Sequence, residues 1–325
     1  MLEIGFVVIG RNEGSRLVNC LDSLLPVSNR IVYVDSGSTD DSCLEAQKRG
    51  LLVVHLDLAL PFTAARARNE GWRVLTANFP QLEFIHFIDG DCQLVSSWIE
   101  PAIKYLKENS ECAVVCGRRR ERYPEASVYN ALCDMEWNTQ CGDAKACGGD
   151  FIIRSSALQT VNGFRDDFIA GEEPEMCFRL RAQGFKIYRI DADMTLHDAQ
   201  ILRFSQWWRR TQRCGYAYAL GAFTHGNSPE RYKVKEVIRP LFWALGIPVI
   251  AVVLGAFLGF WTILFLASLY VLYLVKMIVK GKTAEVSKVA QAWYSLIGKF
   301  AETLGVLQFV RDRLILRKYK IIEYK

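Results

Sequence analysis

No charged residue occurs between Leu241 and Val275, and that absence splits the chain into parts of different character. As one helix rising about 1.5 Å per residue, the stretch would reach roughly 50 Å, too long for one crossing of a ~30 Å hydrocarbon layer. It is barely enough for two, so it predicts a tight hairpin breaking around Gly255 to Gly259, crossing fully or dipping in as a re-entrant pair. Other absences exclude other classes. There is no Pro/Ser-rich linker, internal repeat or low-complexity tract to mark a domain boundary. The ten cysteines form no repeated CxxC pairs and no zinc-ligand spacing with the four histidines, so they read as reduced thiols of a cytoplasmic protein. No basic region precedes the first apolar run and Glu3 interrupts it, so Ile4 to Ile9 reads as a strand and not as an export signal.

What is present begins with charge. The net charge of +5 is spread along the chain, with clusters flanking the uncharged stretch: Arg231, Lys233, Lys235 and Arg239 before it, Lys276, Lys280 and Lys282 after it. That placement suits a membrane surface and not nucleic acid. The positive-inside rule predicts both flanks on the cytoplasmic face of the inner or plasma membrane, with the N-terminal part on the same side. Beyond it, residues 281–325 mix apolar positions at helical spacing with many basic residues, as an amphipathic tail would.

Upstream, short β-branched runs (Ile4 to Ile9, Ile31 to Val34, Leu51 to His55, Phe84 to Ile88) alternate with helix-length stretches (Ser15 to Leu25, Asp41 to Arg49, Thr63 to Thr76). Alternation of this kind predicts an α/β fold, a mostly parallel sheet sandwiched by helices. Such sheets bind ligands beyond the carboxyl ends of their strands. Three polar segments stand there: Gly10 to Glu13, Asp35 to Ser38, and Asp89-Gly90-Asp91. Two carboxylates at one strand end repel each other without a cation between them, and Mn²⁺ or Mg²⁺ shared with a diphosphate is a suitable partner for Asp89 and Asp91. Asp35 is placed to accept hydrogen bonds from a nucleobase or ribose, whereas Ser38, Thr39 and Asp40 suit capping of the next helix. His197 follows the short strand Lys186 to Ile190, and with Asp198 or another carboxylate it suits Mn²⁺; a purely structural histidine is the alternative. Glu172 and Glu173 open a helix running to Gln183, either compensating its macrodipole or supplying a general base.

Together these segments resemble the family 2 glycosyltransferases of the GT-A fold. The matching pieces are Val7 to Glu13, Val34 to Asp40, Ala65-Arg66-Ala67-Arg68-Asn69-Glu70-Gly71, Ile88 to Asp91, and Asn162-Gly163-Phe164 through Gly171-Glu172-Glu173 to Arg179. The resemblance implies displacement with inversion at the anomeric carbon of a nucleotide-sugar donor. It puts Asp91, with Asp89 and His197, on the metal, Asp35 on the base, and Arg11, Glu13, Arg66, Asn69 and Asp89 around the donor. Glu173 stands where the family carries an aspartate general base. Gln206-Trp207-Trp208-Arg209-Arg210 matches the Gln-X-X-Arg-Trp element of processive synthases only loosely, so processivity is not implied. Glu172, Trp208, Arg209 and Arg210 are candidates for the acceptor or its phosphate, with interfacial anchoring the alternative for the last three.

The expected organisation is a GT-A domain over residues 1–239, divided near 115 into donor and acceptor halves, then a membrane hairpin over 240–280 and the tail. The expected activity is sugar transfer to a hydroxyl of a saccharide or lipid-linked acceptor, in cell-surface polysaccharide or glycolipid synthesis. Rivals are a polyprenyl-phosphate sugar synthase and a catalytically dead membrane scaffold. A sugar nucleotidyltransferase is disfavoured because no Gly-rich, Arg-containing segment follows the first strand.

Overall fold

The computed structural model describes residues 3–60, 62–281 and 286–316; the end of the expected amphipathic tail, including Ile321 to Lys325, lies outside them. The chain forms two compact units, Met1–Tyr123 with Cys133–Ala199, and Pro124–Leu132 with Gln200–Lys325.

In the first unit, β1 (Ile4–Gly10), α1 (Ser15–Leu24), β2 (Ile31–Asp35), α2 (Ser42–Lys48), β3 (Leu52–His55), α3 (Ala64–Asn78) and β4 (Phe84–Asp89) follow the expected alternation to within a residue or two. The order β3-β2-β1-β4 is parallel throughout, and β1, β2 and β4 are buried along nearly their whole length, as strands covered on both faces must be. Helix α3 lies close on the sheet at Gly71. Ala65 and Ala67 are buried, and a Cβ on Gly71 would stand 2.3 Å from Val7 Cγ1. The buried His86 of β4 is structural: its Nδ1 donates to the Phe87 carbonyl (2.8 Å) and its Nε2 accepts from Trp98 Nε1 (3.0 Å).

The second half adds β5 (Cys92–Leu94), α4 (Ile99–Glu108), β6 (Cys112–Glu121), α5 (Val128–Trp137), β7 (Gly142–Asp143), β8 (Phe151–Arg154), α6 (Ser155–Thr160), α7 (Glu172–Ala182) and β9 (Lys186–His197). The sheet continues as β4-β8-β6-β9-β5, with β8 antiparallel to both its neighbours and β5 antiparallel to β9. One expectation is corrected here. The strand beginning at Lys186 does not stop near Ile190 but runs to His197, which is therefore its last residue, held in register between β5 and β6. Tertiary pairing on both edges extends a strand that the polar residues Asp191, Asp193 and Thr195 would otherwise end.

In the second unit, α8 (Phe204–His225) packs against α12 (Lys288–Val310). The two backbones come together at glycines: a Cβ on Gly215 would lie 2.0 Å from the Glu302 carbonyl, and one on Gly305 2.0 Å from that of Gln212. Between them lie α9 (Val234–Leu241), α10 (Ile247–Leu258) and α11 (Phe260–Lys280). A π-helical turn, Phe242–Gly246, joins α9 to α10. Pro240 and Pro248 flank it, and a wider turn absorbs the ladder bonds that prolines cannot donate. The hairpin breaks at Gly259, whose φ of 88° suits a residue without a Cβ. Val234–Leu258 and Phe260–Lys280 are long and apolar enough to cross a membrane, and Val252, Phe257, Trp261, Phe265 and Val279 point outward, exposed.

Candidate active site

The first unit gathers its polar residues at the carboxyl ends of β1, β2 and β4. Asp35, 3% exposed, ends β2 and accepts from the Gly37 and Ser38 amides (both 3.0 Å) and from the Tyr33 hydroxyl (3.1 Å). Burial pushes its carboxyl upward, but the bonds from Ser38, Gly37 and Tyr33 outweigh it and hold it below the ordinary carboxylate value. His55 Nδ1 stands 4.0 Å from Asp35 and 3.9 Å from Cys43 Sγ. The expected capping by Ser38 to Asp40 is only partly what forms. Asp40 does accept from the Ser42 amide (3.0 Å), but it also takes the Gly14 amide (3.0 Å). Ser38 accepts from Asn12 N (2.9 Å), and Thr39 N donates to Asn12 Oδ1 (2.7 Å). These side chains tie the loop after β2 to the loop after β1. Arg11 lies over the Phe62 ring (4.5 Å), and Glu13 pairs with Arg16 (2.7 Å).

Of the donor-side candidates on α3, Arg66 donates to the carbonyls of Asp57 (3.2 Å) and Leu60 (3.1 Å). Arg68, which the sequence did not single out, is 2% exposed and enters the site. Two residues along a helix turn a side chain by about 200°, so the arm that points inward is decided by which face meets the sheet. Arg68 pairs with Asp89 (2.8 Å) and Glu172 (2.5 Å). Asn69 donates to Phe164 O (2.8 Å) and Asp166 (2.7 Å) and accepts from Phe164 N (2.9 Å) and Trp72 Nε1 (3.1 Å). These bonds fasten α3 to the 162–166 turn.

Asp89 receives Arg68 on one oxygen and Arg119 on the other (3.1 Å). Arg119 also pairs with Asp150 (2.7 Å), a fully buried carboxylate that accepts from Thr195 Oγ1 (2.7 Å) and the Asp89 amide (3.2 Å). Burial pushes Asp150 up, yet the Arg119 guanidinium outweighs it and brings its carboxyl down to about 2. Removing one member of such a buried network leaves an uncompensated charge, at a cost of about 3–5 kcal/mol.

Asp91 and His197 do meet: His197 Nε2 lies 3.4 Å from Asp91 Oδ2, and its Nδ1 3.5 Å from Glu121 Oε2. Trp137 stands edge-on to the imidazole, 4.8 Å between centroids. Burial lowers the His197 pKa, but the Asp91 and Glu121 carboxylates outweigh it and raise it. Donor atoms of Asp91, Cys92 and His197 lie within 4.8 Å of one another, as do those of Asp89, Cys92 and Asp150. Carboxylate oxygens beside one imidazole fit a Mn²⁺-like ion; the His197 Nδ1, on the other side of the ring, is buried without a hydrogen bond.

The two glutamates of α7 part company. Glu172 faces Arg68, whereas Glu173, 1% exposed, accepts from the Cys147 and Gly148 amides (2.7 and 3.0 Å) and from Cys177 Sγ (2.9 Å). Burial raises the Glu173 pKa against those hydrogen bonds. In the second unit, Gln206 caps α8 through the Leu202 and Arg203 amides (3.0 Å each). Trp208 packs on Phe204, while Arg209 is exposed and Arg210 half-buried on the same helix.

The model described as glycosyl transferase family 2 matches residues 6–161, and that described as glycosyl transferase family group 2 matches residues 137–279. No curated protein sequence matches the chain. Among solved structures, the mannosyltransferase PcManGT from Pyrobaculum calidifontis, in complex with GDP-Man and Mn²⁺, is similar with a TM-score of 0.63. It is 14% identical, over 96% of this chain and 88% of that one. S. aureus TarS 1–349 is similar with a TM-score of 0.52 and 13% identity, over 100% of this chain and 95% of that one. At such identities the likeness is one of fold. The two family models together run over residues 6–279, from the first strand of the sheet into the apolar hairpin, and with the similar solved structures they support a family 2 type glycosyltransferase built on the GT-A fold.

Proposed function

We propose that the chain transfers a sugar, with inversion, from a nucleotide-sugar donor to a hydroxyl of a saccharide or lipid-linked acceptor, in the synthesis of a cell-surface polysaccharide or glycolipid. The observation that carries this is the convergence of Asp35, Asp89 and Asp91 at one edge of the sheet, with His197 brought to Asp91 by the pairing of β5 with β9. Asp35 holds the nucleobase; Asp91 and His197, with Asp89 beside them, hold Mn²⁺ or Mg²⁺. A divalent cation there supplies counter-charge to the diphosphate leaving group. Glu173 takes the proton of the attacking hydroxyl. Three donors occupy its carboxylate, which has about four lone-pair sites, so one remains for an incoming hydroxyl. Because the residue is 1% exposed, that approach requires the Cys147–Gly148 segment to open.

To test this reading, membranes carrying the full chain are incubated with a panel of radiolabelled nucleotide sugars and partitioned between organic and aqueous phases. One donor should label a glycolipid or polymer. Label appearing only as a monosaccharide on a lipid phosphate would identify a polyprenyl-phosphate sugar synthase instead. No transfer from any donor, with lipid extract supplied, would favour the scaffold.

We further propose that Val234–Leu258 and Phe260–Lys280 anchor the chain in the inner or plasma membrane with both flanks cytoplasmic. Their outward apolar side chains and the flanking basic residues support it. Protease added to sealed cells should leave the C-terminus intact and cut it only after lysis; cutting from outside would refute this topology.

A further inference from the structure

We propose that Glu121 is a positioning residue of the cation site, fixing the His197 proton on Nδ1 so that the Nε2 lone pair is turned toward Asp91 for a divalent ion. The inference rests on the reading that Asp91 and His197 hold that ion. Its basis is the sheet register. β9 lies between β6 and β5, and His197 is paired across the ladder with Glu121 on one side and with Cys92, the residue after Asp91, on the other. Side chains at paired positions share a face of the sheet, which brings Glu121 to His197, while Asp91 reaches the imidazole from the turn before β5. Asp91 Oδ2 is 3.4 Å from Nε2 and Glu121 Oε2 3.5 Å from Nδ1.

The Glu121 side chain is fully buried. Its oxygens accept from the Ala199 amide (3.1 Å) and the Tyr123 amide (3.3 Å), bonds that hold its carboxylate in place beyond the imidazole. Trp137, edge-on at 4.8 Å, restricts the ring from the side. A neutral imidazole has one N–H and one lone pair. Glu121 is the carboxylate facing Nδ1, at 3.5 Å and short of a hydrogen bond; a proton on that nitrogen leaves the lone pair on the Asp91 side. A carboxylate behind a metal-bound histidine sets both tautomer and basicity, and its loss weakens metal binding by about 10- to 100-fold.

A purely structural Glu121 would serve only the two backbone amides. Glu121→Gln keeps the shape and a carbonyl oxygen for those amides, but one neutral oxygen must then serve both them and the imidazole. The experiment measures Mn²⁺ binding to the full chain without nucleotide, by electron paramagnetic resonance of free Mn²⁺, for wild type, Glu121→Gln and His197→Ala. Glu121→Gln should weaken Mn²⁺ about tenfold or more with an unchanged melting temperature of the metal-free protein. Wild-type affinity in Glu121→Gln alongside weakened binding in His197→Ala overturns the inference alone. Wild-type affinity in His197→Ala overturns the reading of the site beneath it. Should the glutamine variant fail to fold, nitrogen NMR of the ¹⁵N-histidine-labelled native chain decides, since there are four histidines to resolve. With diamagnetic Cd²⁺ bound, His197 should carry its proton on Nδ1 and show a coordination shift at Nε2. A proton on Nε2, or no shift at either nitrogen, overturns the proposal.

Discussion

Glu173→Gln is expected to bind the nucleotide-sugar donor with native affinity while turnover falls by about 10² to 10⁴, the range for loss of a general base. A sugar hydroxyl is too weak an acid to attack unaided at neutral pH, and glutamine cannot take its proton. Burial raises the Glu173 pKa, which makes the carboxylate a better proton acceptor. The same carboxylate also fastens the Cys147–Gly148 segment, so a structural role must be separated from a chemical one. Glutamine retains an oxygen for one of those amides, and donor affinity by calorimetry reports whether the site survives. Glu172→Gln, which removes one of the two carboxylate partners of Arg68, should lose donor affinity or stability before turnover. Native turnover in Glu173→Gln, or a dead Glu172→Gln with a live Glu173→Gln, moves the base to Glu172 or Asp150.

Asp91→Asn should lose Mn²⁺ affinity by more than about 100-fold, since even an outer partner of a metal ligand contributes 10- to 100-fold. Transfer should fall by about 10² to 10³, the loss typical when one stabilising group facing the developing charge is removed. Asparagine keeps the size of the side chain beside His197, so the fold should persist. Mn²⁺ titration and turnover with and without chelator are the measurements. Full activity in EDTA, or a native rate in Asp91→Asn, would exclude a metal-dependent reaction centred on this residue.

The donor edge was largely legible in the sequence. β1, β2 and β4 are continuous apolar runs ending in polar residues, and a parallel buried strand leaves little freedom in where such a run stops, so Asp35 and Asp89 could be placed at strand ends directly. The hairpin was legible for the same reason: an uncharged stretch of that length has few stable environments, and its break fell at Gly259 within the expected interval.

Which charged arms turn inward was decided only by the tertiary structure. Arg66 and Arg68 look alike on paper, but one extends to the Asp57 and Leu60 carbonyls and the other to Asp89 and Glu172. Arg119 stands among three consecutive arginines, and β6 shifts register against β9 both before and after Arg118. An alternation rule cannot be carried through those irregularities, because each one changes which face the next side chain takes. Asp150 precedes a short strand that joins the sheet antiparallel between β4 and β6, and Glu121 meets His197 only across a ladder between strands far apart in sequence. The sequence by itself determined the apolar segments and the polar residues that end them, since burial and periodicity are local properties. The pairing of Arg119 with Asp150 and of Glu121 with His197 depends on strand order and register, which are set by the packing of the whole sheet.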